Sequence, residues 1–209
     1  MKILHIDTSI RKDRSVSREL TKHTVTLFRE NPNVTVDYLD LNENTPAHIN
    51  QEFLDAHRTP ADGLRMAQHE LLSESISLIE RLRHTDLYII GLPMYNFSFP
   101  SSFKTFLDNI MISGKTFKND ESGETGLLKD KKAIIISSRG ATYDSPDTSD
   151  YDCLSPLVKT AFGYIGIYDV TMLKVEATVF FGEERKKQSI DLARKEIQTL
   201  ADNLKTGQK

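Results

Sequence analysis

Two short apolar runs limit the folds open to this chain: "LYIIGL" at residues 87–92 and "AIIISS" at residues 133–138. Neither alternates apolar with polar residues, as a strand with one wet face does, so both read as strands buried on two faces. Three further segments rich in β-branched residues join them, giving strand candidates at Ile3–Asp7, Val34–Leu39, Asp86–Leu92, Lys132–Ser138 and Val170–Val175. Helical spacing lies between and after them. Val16, Leu20, Thr24, Leu27 and Phe28 share one helix face, Leu71, Leu72, Leu78, Ile79 and Leu82 another, and Ile190, Ala193, Ile197, Leu200 and Leu204 a third.

Strands separated by amphipathic helices need crossover connections, so the expected fold is α/β, an open parallel sheet with helices on both faces. Five strands point to flavodoxin-like winding in preference to the six-stranded dinucleotide arrangement. With 209 residues, one domain over residues 1–209 is expected. The segment 42–65, polar and proline-containing, reads as a long surface connection holding one short helix.

Charge and composition narrow the function. Lys and Arg number 27 against 30 Asp and Glu, a formal net charge of −3, so no field recruits nucleic acid or an anionic membrane surface. The lone Cys153 forms no internal disulfide, and no Cys/His cluster suits zinc, as expected in a reducing, cytoplasmic compartment. No signal-peptide core fits before Asp7 and Arg11, and no apolar run reaches membrane-spanning length. The sequons at Asn33 and Asn96 then carry no consequence.

In sheets of this kind ligands bind beyond the carboxyl ends of the strands, near the reversal of strand order. That rule selects residues 8–17, 93–101 and 138–152. The first loop offers the hydroxyls of Thr8, Ser9, Ser15 and Ser17 and the charges of Arg11, Lys12 and Arg14, and it contains no glycine. Glycine is needed where a pyrophosphate approaches the backbone over a tight turn; a single phosphate held by hydroxyls and helix N-terminal amides makes no such demand. The plainer role for Ser15 or Ser17 is a helix cap.

In the second loop, Met94, Tyr95, Asn96 and Phe97 lie between Pro93 and Pro100. They offer aromatic and thioether surface for the face of a flat heteroaromatic ring and an amide for its edge, or else a turn that tucks aromatics into the core. In the third, Gly140 follows the strand and permits positive φ, while Arg139 could anchor the turn or a ligand. The stretch up to Asp152 is long for such a connection and suggests a cover or an oligomer contact.

"SGKT" at residues 113–116 imitates the end of a Walker loop, but Asn109 stands where its first glycine belongs. There is no GxSxG elbow, and the six histidines show no metal-ligand spacing. A hydrolase on this fold therefore has no visible nucleophile or metal.

The segments "DTS…SVSREL", "PMYNFSFPSSFKTFLDNI", "GKTF…GLLKDKKAIIISSRG" and "FGYIGI", in this order, resemble the FMN-dependent NADH:azo/quinone reductases, the AzoR-type bacterial azoreductases, over nearly the whole length. The resemblance implies a flavodoxin-like homodimer with one FMN per subunit and active sites at the subunit interface. It implies NADH or NADPH as donor and a quinone or azo compound as acceptor, in ping-pong hydride transfer through flavin N5. An electron carrier or regulatory flavin module without turnover is the alternative.

On the family pattern Ser9, Ser15, Val16 and Ser17 would hold the phosphate and ribityl end. Met94, Tyr95, Asn96 and Phe97 would hold the isoalloxazine, and Ser138, Arg139, Gly140 and Ala141 its far edge. Phe162 would border the substrate pocket or else pack a helix end, with Gly163 and Gly166 shaping the turn. Three positions depart from the pattern: Val16 where Gln is frequent, Ala141 where a second glycine is, and Phe103 where a polar residue is.

Overall fold

The computed structural model describes residues 1–59, 63, 66–121 and 123–206. Strands β1 (Lys2–Asp7), β2 (Thr35–Asp40), β3 (Leu87–Gly91), β6 (Lys132–Ser138) and β7 (Asp169–Val175) form one sheet in the order β2-β1-β3-β6-β7. Every pairing in it is parallel. Each strand candidate from the sequence is present, with ends shifted by at most a residue or so.

Successive residues of the central strands feed opposite cores. Leu4, Ile6, Tyr88, Ile90 and Ile135 enter the core completed by helices α2 (Gln51–Arg58), α3 (Met66–Arg83), α4 (Ser101–Ile110) and α5 (Leu154–Tyr164). Ile3, Leu87, Ile89, Ile134 and Ile136 enter the one completed by α1 (Val16–Arg29) and α6 (Gly182–Thr206). This two-sided demand explains the unbroken apolar runs: all five residues of β3 are buried, whereas edge strand β2 is largely exposed.

The short helix expected within 42–65 is α2, capped by the Asn50 side chain, which accepts from Phe53 N at 2.9 Å. The remainder of that connection, at 60–62 and 64–65, lies outside the described residues. One unforeseen element is the antiparallel hairpin of β4 (Phe117–Asp120) and β5 (Gly123–Gly126). Its mostly polar residues carry no buried-strand pattern. Gly126 seats it: a Cβ there would stand 2.1 Å from the nitrogen of Gly166, which itself has φ +102° in the turn after α5.

The chain winds outward from β1 to β2, then crosses back to place β3 on the other side of β1. The loops after β1 and β3 therefore flank the reversal of strand order, where open α/β sheets hold their ligands.

Candidate functional site

The three loops singled out from the sequence are tied to one another. Thr8 donates to the Gly91 carbonyl through both its N–H (3.2 Å) and its hydroxyl (2.8 Å). The Ser9 and Tyr95 hydroxyls lie 3.3 Å apart, and Met94 N–H donates to the Ser138 carbonyl at 2.9 Å. Gly91 permits this closeness, since a Cβ on it would stand 2.7 Å from Asp7 Oδ1.

At the start of α1, Ser15 takes the capping role: its Oγ accepts from Arg18 N at 3.3 Å and lies 3.1 Å from Ser17 Oγ. A cap satisfies one orphan amide only. The N–H groups of Val16 and Ser17 have no hydrogen-bond partner among the described residues, and neither has that of Ile10 in the loop. Two buried hydroxyls and these free amides suit a single anion. Val16 turns its side chain toward the α1/α6 core, so only its amide can serve a ligand.

Residues 95–98 form a two-residue turn, closed by Tyr95 N–H to Ser98 O (2.7 Å) and Ser98 N–H to Tyr95 O (3.1 Å). Asn96 and Phe97 have φ of 49° and 69°. Both are in the left-handed region, as a type I′ turn requires, yet neither is glycine. Such strain concentrates at ligand clamps, and a bulky Phe at positive φ is uncommon. Both side chains are exposed, and the Phe97 ring lies 5.5 Å from that of Tyr151 in the third loop.

The third loop departs from one expectation. Gly140 is not at positive φ; what crowds a side chain there is the exposed Phe180 ring, 2.9 Å from the position of a Cβ. Arg139 is fully buried and serves as the anchor. It donates to both Asp152 oxygens (2.8 and 3.2 Å), to Glu176 (3.3 Å) and to Ser155 Oγ (2.7 Å). Burial acts to raise the Asp152 pKa, but hydrogen bonds from Ser155, Arg139 and Lys174 outweigh it and hold the carboxyl well below the usual carboxylate range. Ser138, Gly140 and Ala141 stay beside the crevice, the carbonyls of all three engaged by backbone amides.

Phe162 lies elsewhere. It belongs to the last turn of α5, is 2% exposed, and meets Tyr88 edge-on at 6.5 Å. Between α5 and the sheet its ring packs the core of this subunit, the helix-end role the sequence also allowed. Phe103 is likewise core, fully buried between Phe99 and Phe106 at 5.2 and 5.8 Å; its departure from the family pattern is one of packing.

The sequence reading missed the group behind the first loop: Asp7, Arg18, Tyr38 and Asp40. Arg18 donates to both oxygens of Asp40 (2.6 and 2.7 Å) and to Tyr38 Oη (3.2 Å). Tyr38 in turn donates to Asp7 at 3.2 Å. Burial, then the charges of Asp7 and Asp40, push the Tyr38 phenol up to about 12. The available signal was a cation in the first turn of a helix, where the dipole disfavours it.

The sequence matches the family described as Flavodoxin-like fold over residues 1–201. It is 36% identical over 202 residues to the FMN-dependent NADH:quinone oxidoreductase of Chromobacterium violaceum, covering 96% of this chain and 100% of that protein. The chain belongs to the flavodoxin-like family that contains the FMN-dependent NADH:quinone oxidoreductases. A relative in Trichormus variabilis, FMN-dependent NADH:quinone oxidoreductase 1, is 38% identical over 199 residues, 95% of this chain and 94% of that one. Among solved structures of this fold, an FMN-dependent NADH-azoreductase from Bacillus anthracis in complex with FMN superposes with a TM-score of 0.87. It shares 26% identity, with 98% of this chain and 99% of that one covered. A second azoreductase from the same species, at TM-score 0.89 and 22% identity over 97% of this chain and 99% of that one, shares the fold.

Proposed function

We propose that this protein is an FMN-dependent NADH:quinone oxidoreductase that also reduces azo compounds. The observation that carries the reading is the glycine-free loop at the strand-order reversal. There the Ser9, Ser15 and Ser17 hydroxyls share one loop and helix start with the unpartnered amides of Ile10, Val16 and Ser17, a donor set for one phosphate. The donor set fits FMN and not a dinucleotide.

Ser9, Ser15 and Ser17, with the Val16 amide, would hold the phosphate and ribityl end. Met94, Tyr95, Asn96 and Phe97 would supply apolar surface to the ring and the Asn96 amide to its edge, and the backbone at 138–141 would border the far side. Bound there, FMN supplies the chemistry, accepting a hydride from NADH and passing two electrons to the quinone or azo acceptor in a ping-pong cycle. The residues are left to bind, orient and exclude water.

A second copy of the chain is the proposed cover for the crevice. Loops after four strands expose large apolar side chains there: Ile10, Phe97, Tyr151, Val179, Phe180 and Phe181. Unrelieved apolar surface of this kind marks an interface. None of the described helices is long and apolar enough to cross a membrane.

The test is the visible spectrum of the purified protein, then anaerobic addition of NADH and of a quinone. A flavin spectrum that bleaches with NADH and returns with quinone, the released cofactor being FMN, is the expected result. A protein that stays colourless after incubation with FMN would overturn the reading.

A further inference from the structure

The guanidinium of Arg18 is placed against a main-chain carbonyl of the first loop. Its Nε and one terminal nitrogen both donate to the Ser9 carbonyl, at 3.0 and 2.7 Å. Its two terminal nitrogens grip the two oxygens of Asp40 at the end of β2. Four of its five N–H groups are thereby committed to two fixed acceptors, a fork geometry no other side chain reproduces.

Local preference does not explain the residue. Arg18 is the third residue of α1, where a cation opposes the helix dipole and an acid would be favoured. Here burial acts to lower its pKa, but the hydrogen bond and charge of Asp40, with the charge of Asp7, outweigh that and raise it, so the group stays cationic. With its charge neutralised by Asp40, what remains of its effect is geometric. A peptide unit is planar and trans, so the N–H of Ile10 points opposite to the Ser9 carbonyl, away from Arg18. Fixing that carbonyl fixes the unpartnered Ile10 amide, and with it the Ser9 side chain, which accepts from Arg11 N–H at 3.2 Å and meets Tyr95.

We propose that Arg18, braced by Asp40, is a positioning residue that sets the orientation of the Ser9–Ile10 peptide and so preorganises the first loop for the phosphate of the flavin. The proposal rests on the FMN reading. It makes Arg18 a determinant of FMN over riboflavin without contact to the reacting atoms.

The experiment measures dissociation constants of FMN and of riboflavin by quenching of flavin fluorescence. It uses the wild-type apoprotein, Arg18→Lys and Asp40→Asn, each checked for folding by circular dichroism. Lysine keeps the charge and loses the fork, so it separates positioning from electrostatic attraction. We expect the wild type to prefer FMN at least tenfold, and Arg18→Lys to lose most of that preference through weaker FMN binding, with riboflavin within about twofold. Asp40→Asn, which removes the brace, should fall between, and it serves alone if Arg18→Lys does not fold.

A preference retained in the variants, or equal weakening of both flavins, overturns the positioning role and leaves the FMN reading intact. Wild-type protein that binds both flavins equally overturns the phosphate site itself, and this inference with it.

Discussion

The hydroxyl of Ser9 lies 3.3 Å from that of Tyr95, joining the loop after the first strand to the loop after the third. The residues are 86 apart in sequence, and both groups belong to the proposed flavin site. This contact closes the crevice at the point where strand order reverses.

Tyr95→Phe and Ser9→Ala should each remove that link. A neutral hydrogen bond contributes about 1 kcal/mol net, so either change should lower stability by roughly that much. Ser9→Ala should weaken FMN binding more than Tyr95→Phe, because it also deletes a hydroxyl proposed to hold the phosphate. Urea denaturation of the apoprotein and flavin titration separate the two effects; equal flavin affinity in both variants would count against Ser9 as a ligand.

Asp152→Ala should be far more damaging than its surface loop suggests. It leaves the fully buried Arg139 with Glu176 as its remaining carboxylate, and breaking a buried pair from one side costs about 3–5 kcal/mol. The pH dependence follows from the depressed Asp152 pKa. The folded state favours the carboxylate, so this contribution is whole above the unfolded value of about 3.9 and falls away as pH drops below it. Thermal melts from pH 5 down to pH 2 should show a steeper acid loss below about pH 4 in the wild type than in Asp152→Ala.

Phe97→Gly should relieve left-handed strain worth about 1 kcal/mol and raise the melting temperature of the apoprotein. The same change removes ring surface from the proposed flavin site, so the melting-temperature gain on adding FMN should shrink. Asn96→Ala should weaken flavin binding or slow reduction by NADH. Wild-type flavin content and stopped-flow rates in that variant would refute the role of its amide.

The five strands of the sheet, helices α1, α3 and α6 and the three loops at its carboxyl edge were legible because each follows from local pattern. A strand buried on both faces must be apolar throughout, a covering helix must repeat at 3.6 residues, and winding order then fixes where ligands bind. The hairpin of β4 and β5 gave no such pattern, because its residues stay largely exposed and its seat is the backbone of Gly166.

Side-chain assignments depended on distance in space. Arg139 could serve a ligand or the turn until Asp152 and Glu176, 13 and 37 residues away, proved to surround it. For Phe162 the sequence left a pocket border and a helix end both open, and its ring packs edge-on against Tyr88. Arg18 had no visible role because Asp40 is 22 residues distant. The sequence by itself determined the layers and the edge that carries the site, since these depend on periodicity. Only the tertiary structure decided which charges are consumed internally and which donors remain for a ligand, because charge pairing depends on contacts between elements that no local pattern records.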